Sequence, residues 1–102
     1  MEASENKKEY SLKIRLDEEI AQGKYSNFVL VNHTDSEFIL DFIFIQPQQP
    51  QAKVLSRVIT SPKHVKRLQM MLNNAVEKFE QKFGKIEINQ QEISANDIKI
   101  FH

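Results

Sequence analysis

Apolar and polar residues take turns from Tyr10 onward: Leu12, Ile14 and Leu16 alternate with Ser11, Lys13 and Arg15. A period of two marks a half-buried strand with one wet face, so a first strand is predicted there. "DEEIAQGK" then turns the chain, with room for a short helical turn and with Gly23 as the breaker. A second strand is predicted from about Tyr25 to His33 and a third from about Phe38 to Ile45. Pro47 and Pro50 punctuate "QPQQPQ". Proline brings no N–H to a ladder, so this stretch reads as an exposed loop. "AKVLSRVIT" follows as a fourth strand.

The period then lengthens. Val65, Leu68, Leu72, Ala75 and Phe79 recur at alternating spacings of three and four, with Phe83 four residues further on. That is one apolar stripe on a helix. Ser61 is placed to cap it, Pro62 occupies the first helical position, where an N–H is not needed, and Gly84 ends it. Such a helix is about 33 Å long and an eight-residue strand about 27 Å. The helix is therefore expected to cross a whole sheet face. The predicted fold class is α+β, a four-stranded antiparallel β-sheet followed by one long α-helix packed on one face. A chain of 102 residues makes one domain. Its expected extent is 10–84, between a flexible polar N-terminus, 1–9, and a C-terminal tail, 85–102, that carries five isoleucines without Gly or Pro. The tail is open to three roles: an extra strand, a partner-binding segment, or loose chain.

Apolar residues fall on both parities of the third strand. Paired antiparallel across the Pro/Gln loop, strands three and four place Leu40 opposite Val58 and Phe44 opposite Val54 on one face. The other face pairs Ile39 with Ile59, Ile43 with Leu55, and Asp41 with Arg57. The last is a structural ion pair of about 0.2–1 kcal/mol. The helix is expected over Phe38, Leu40, Phe42 and Phe44. Ile39, Ile43, Ile45, Leu55 and Ile59 then remain as a candidate interface, a larger apolar patch than soluble monomers usually expose. Either the tail folds over it or a second subunit does. The second subunit is the favoured cover, which makes the protein a homo-oligomer, a dimer or higher.

Composition narrows the chemistry. Fourteen basic residues balance fourteen acidic ones, so no net field draws the chain to nucleic acid or anionic membrane. With no cysteine there is no disulfide, thiolate metal site or Cys nucleophile, which fits a reducing compartment. The N-terminal residues lack a signal-peptide pattern and no apolar run approaches the ~20 residues of a membrane span. A cytoplasmic location without membrane contact is expected. The only glycines are Gly23 and Gly84, so no Gly-rich phosphate cradle and no Gly-x-Ser-x-Gly exists. His33, Asp35, Glu37 and Asp41 are metal-ligand types, but their spacing fits no zinc or calcium template. Turn chemistry and a surface His33–Glu37 pair account for them. No catalytic residue, metal or cofactor is expected, and the protein is not expected to be an enzyme. One unconventional feature remains. Lys63, His64, Lys66 and Arg67 crowd the helix start, where the dipole prefers anions. They form either a solvated basic face offset by Glu18, Glu19 or Glu77, or a binding site for phosphate, nucleic acid or an acidic partner. The strands expose no aromatics for base stacking, which disfavours nucleic acid.

"YSNFVLVNHTDSEFILDFIFIQP", "SRVITSPKHVKRL" and "EKFEQKFG" together resemble a family of short prokaryotic proteins known only as a domain of unknown function. The matching positions are Tyr25, Asn27, His33, Glu37, Phe38, Asp41 and Phe42, then Arg57, Val58, Ser61, Pro62, His64 and Lys66. The resemblance spans about Tyr10 to Gly84, departs in the tail, and implies no activity. The element order is also similar in topology to bacterial export chaperones of the SecB type, with no shared motif. The expected function is a non-enzymatic binding module, chaperone-like or adaptor, that takes protein segments on an apolar sheet face or edge. The alternative is a regulator that binds nucleic acid or phosphate at the helix start.

Overall fold

The computed structural model describes residues 11–49 and 51–88. The elements in order are α1 (Glu18–Ala21), β1 (Phe28–His33), β2 (Phe38–Ile45), β3 (Ala52–Thr60) and α2 (Pro62–Phe83). The strands form one three-stranded antiparallel sheet in the order β1-β2-β3. The architecture is α+β, a small sheet followed by one long helix.

Among the described residues the sheet has three strands where four were expected, and the segment predicted as the first strand is not among them. Residues 11–17 form no regular structure, and Leu12 and Ile14 are 82% and 85% exposed. Alternation specifies two faces, but a strand also needs a neighbouring backbone to bond to. α1 and the reversal at Gly23 (φ 76°) separate this segment from β1, and neither sheet edge receives it. The expected flexible N-terminus, 1–9, and most of the tail, 89–102, lie outside the described residues.

Side chains of the loops carry backbone hydrogen bonds. Between β1 and β2, Thr34 Oγ1 accepts from the N–H groups of Ser36 (3.2 Å) and Glu37 (3.1 Å), and Thr34 N–H donates to Glu37 O (2.9 Å). This hydroxyl turn replaces the Asn-Gly signal that "TDS" lacks. Before β1, Asn27 Nδ2 donates to Ile45 O (2.9 Å) and its Oδ1 accepts from Ile45 N–H (2.8 Å). The amide thus acts as one more peptide unit in the ladder. Ser26 Oγ does similar work at Ile43, accepting from its N–H (3.1 Å).

The β2–β3 register runs Phe38–Thr60, Ile39–Ile59, Leu40–Val58, Asp41–Arg57 and Phe42–Ser56, then shifts. Beyond the shift Ile43 faces Val54 and Phe44 faces Lys53. The expected pairs Ile43–Leu55 and Phe44–Val54 are therefore replaced, because Leu55 is the extra residue of a β-bulge.

α2 begins and ends where its caps place it. Ser61 Oγ accepts from His64 N–H (3.2 Å), Pro62 follows at the first position, and Gly84 N–H closes on Glu80 O (2.9 Å). However, α2 does not pack on the sheet of its own chain. None of its residues is buried, and extensive contact among elements is confined to β1 with β2 and β2 with β3. The connection explains this. Ser61 alone joins Thr60 to Pro62, whereas helices that return over their sheet typically use about 2–6 linking residues. Ser61 is extended (φ −84°, ψ 160°) and Pro62 has a fixed φ, so the helix leaves the end of β3 without room to reverse. Among the described residues only Leu40, Ile43 and Asp41 are buried.

The side-chain ladder predicts a measurable loss. A net hydrogen bond contributes about 0.5–1.5 kcal/mol, and Asn27 is exposed, so Asn27→Ala should cost about 1 kcal/mol in urea unfolding. The melting temperature should drop by roughly 4–8 °C. An unchanged urea midpoint would mean that the amide adds nothing to the sheet.

Candidate functional site

A buried carboxylate sits at the centre of β2. Asp41 faces Leu30 on one side and Arg57 on the other. Its side chain is 0% exposed, while that of Arg57 is 50% exposed. Arg57 grips both oxygens: Nε donates to Oδ1 at 2.7 Å and Nη2 to Oδ2 at 3.0 Å. This fork satisfies the carboxylate and holds its pKa below the usual value, first through the hydrogen bonds and then through charge, against the opposing effect of burial. The same contact raises the guanidinium further. The arrangement locks a charge in place. It contributes neither a base with access to solvent nor a nucleophile.

The candidate interface is split by the bulge. Ile39, Ile43 and Ile59 share the Asp41 face through the pairings Ile39–Ile59 and Ile43–Val54, and Ile45 lies two residues beyond Ile43 on the same face. Ile43 is already buried, Ile39 and Ile45 are half-buried, and Ile59 is exposed. Leu55 is drawn away from them. It lines a cleft of about 290 Å³ with Phe42, Ser56, Ile20 and Lys24, and Lys24 Nζ donates to Leu55 O (3.3 Å). The cleft is at the lower limit of ligand-pocket size, and Glu19, Ser26 and Ser56 line it beside Lys24.

Lys63, His64, Lys66 and Arg67 are exposed, and among the described residues none of them forms an ion pair. Ser61 has already taken one of the free helix-start donors, His64 N–H, through its hydroxyl (3.2 Å), and Val65 N–H makes the first helical bond to Ser61 O (3.0 Å). Of the backbone groups there, Lys63 N–H stays open to an anion, since Pro62 has none. His33 stacks on Phe38 with ring centroids 5.3 Å apart. Among the described residues no group of three or more His, Asp or Glu side chains could hold a metal ion.

Sequence reasoning passed over a larger feature. The α2 stripe of Leu68, Leu72, Val76, Phe79 and Phe83 is exposed along its length, with Phe79 49% exposed. Val29, Val31 and Val58, around Leu40 and Phe42, are exposed on the sheet, Val31 by 53%. The periodicity had identified both surfaces. The one-residue link was the signal that they do not meet within one chain.

The family described as "Protein of unknown function (DUF3467)" matches residues 1–88, and the chain belongs to it. Membership carries no activity, and the match ends four residues into the tail. No curated protein matches the chain. No solved structure matches it either, and nothing among these findings supports the expected likeness to SecB-type chaperones. Among the described residues no helix is long and apolar enough to cross a membrane.

The ion pair predicts an asymmetry. Arg57→Ala strands a buried carboxylate and should cost about 3 kcal/mol, whereas Asp41→Ala leaves a half-exposed guanidinium that water can serve and should cost less. The double variant should be no worse than Arg57→Ala; additive losses would show that the two side chains act independently. The pH dependence follows in sign. Asp41 is depressed in the fold, so its stabilisation is full above the unfolded value near 3.9 and is lost as pH falls through the lower folded value. The stability gap between wild type and Asp41→Asn should close as pH is lowered below about 4.

Proposed function

We propose that this member of the DUF3467 family is a non-enzymatic binding module, chaperone-like or adaptor, that accepts extended protein segments along a sheet edge. The observation that carries this reading is the strand order. Among the described residues β1 and β3 are both edge strands, and an edge presents a row of N–H and C=O groups ready to pair with another backbone. Apolar side chains flank both edges. An added segment gains main-chain bonds from the edge and side-chain contacts from the face. The buried carboxylate is neutralised by Arg57, which holds the central strand pair together beneath the edges.

A second reading rests on the basic helix start. Lys63, Lys66 and Arg67 lie within two turns and could collect a phosphate with Lys63 N–H. Ser61 competes for the neighbouring donors, which makes this reading weaker.

The two readings separate by titration. An extended peptide of alternating Val and Thr should bind, as measured by calorimetry, and N-methylation of its edge-facing amides should abolish binding. Binding indifferent to N-methylation, or none, overturns the edge reading. If the phosphate reading is correct, phosphate raises the melting temperature, salt diminishes the shift, and Lys66→Glu with Arg67→Glu removes it. No shift is expected.

A further inference from the structure

We infer that two copies of this chain exchange helices, α2 of each lying across the Phe38–Leu40–Phe42 face of the other's sheet. This goes beyond the edge-binding reading, since it assigns an occupant to a face and leaves the edges free. Three observations carry it.

The first is the link. One residue, Ser61, extended and followed by Pro62, separates β3 from α2. The helix is thereby held off its own sheet. Short connections of this kind convert a contact within a chain into the same contact between chains.

The second is fit. α2 has 22 residues, about 33 Å of length, against a strand length of about 27 Å. Its stripe is wider than a coiled-coil seam. Met71 and Val76 flank Leu68, Leu72, Ala75 and Phe79, and Lys82 interrupts the three-four spacing before Phe83. A stripe of that breadth suits a sheet face. Of the two faces, the one bearing Val29, Val31, Leu40, Phe42 and Val58 has an apolar centre. The opposite face carries the Arg57 head, which a helix would strip of water at a cost.

The third is area. The sheet face measures roughly 14 by 27 Å, and the helix footprint is about 33 by 10 Å. A helix about 10 Å wide covers about 10 by 27 Å of the sheet, so each chain of a reciprocal pair buries about 600 Å², within the lower part of the range for a stable interface. The pairing is a two-fold one, in which both copies bury the same two surfaces.

The absence of cysteine makes the test direct. Light scattering on the full chain at micromolar concentration should give twice the chain mass. With Val31→Cys and Leu72→Cys in one chain, a short bis-maleimide should produce a covalent two-chain species on a denaturing gel. Leu72→Cys alone should stay single-chain. Both substitutions are at exposed positions and leave Leu40 and Ile43 intact, so the fold should persist, as checked by circular dichroism. A single-chain mass, a bridge closed within one chain, or a two-chain product from Leu72→Cys alone each overturns the exchange. The first of these outcomes also covers the tail or an unrelated partner occupying the face. A second variant inserts Gly-Ser-Gly-Ser between Thr60 and Ser61. It should halve the mass and move the bridge inside one chain, and an inserted chain still bridged between copies also overturns the inference. Peptide binding at the edges is a separate measurement and can fail or succeed alone.

Discussion

The connection at Ser61 governs the rest of the molecule. Its hydroxyl and carbonyl cap α2, and Pro62 fixes the first helical φ. The same short link keeps the helix from its own sheet. Two surfaces that the amphipathic patterns build for burial, the α2 stripe and the sheet around Val29, Val31 and Val58, consequently stay exposed among the described residues. What a lone chain buries among its described residues is Leu40, Ile43 and Asp41, a very small core for a domain whose stability rests mainly on apolar burial. A cap that makes the helix well defined thus also makes the single chain incomplete. Helix exchange, as inferred here, restores the missing layer while keeping the cap.

The elements that the sequence revealed best are those specified by local chemistry. β2, β3 and α2 lie where alternation, the prolines of the loop and the Ser-Pro and Gly caps place them, because each of those signals acts within a few residues. Asp41 and Arg57 were readable as a pair because Asp41 is the one charge of its strand and an antiparallel return across the loop sets Arg57 opposite it. Three features were hidden for different reasons. The alternation of 10–16 describes faces and is silent about a partner strand. The bulge at Leu55 has no Gly or Pro to announce it, so the register was right from Phe38 to Phe42 and slipped beyond. Asn27 and Ser26 sit just before β1 as ordinary polar residues, and their role as surrogate peptide groups depends on Ile43 and Ile45 arriving from 17 and 18 residues away.

The ion pair answers a problem that this sheet creates for itself. In most antiparallel sheets one face is apolar and the other polar, and that contrast sets the register, since a slip of one residue turns every side chain over. Here Phe38, Leu40, Phe42 and Phe44 on one parity are matched by Ile39, Ile43 and Ile45 on the other, so burial alone discriminates weakly between registers. Asp41 breaks the tie. In the observed register its buried carboxylate meets Arg57 in a two-point contact. A slip of one residue on β3 would set it against Ser56 or Val58, leaving a buried charge without its partner, at a cost of several kcal/mol. The pair also tells the two faces apart. Arg57 keeps half of its side chain in water, so the Asp41 face keeps a solvated charge on β3 beside its buried centre. On the Leu40–Phe42 face the charge, Lys53, lies opposite Phe44 at the end of the strand pair, so a second layer can cover its centre without stranding a charge.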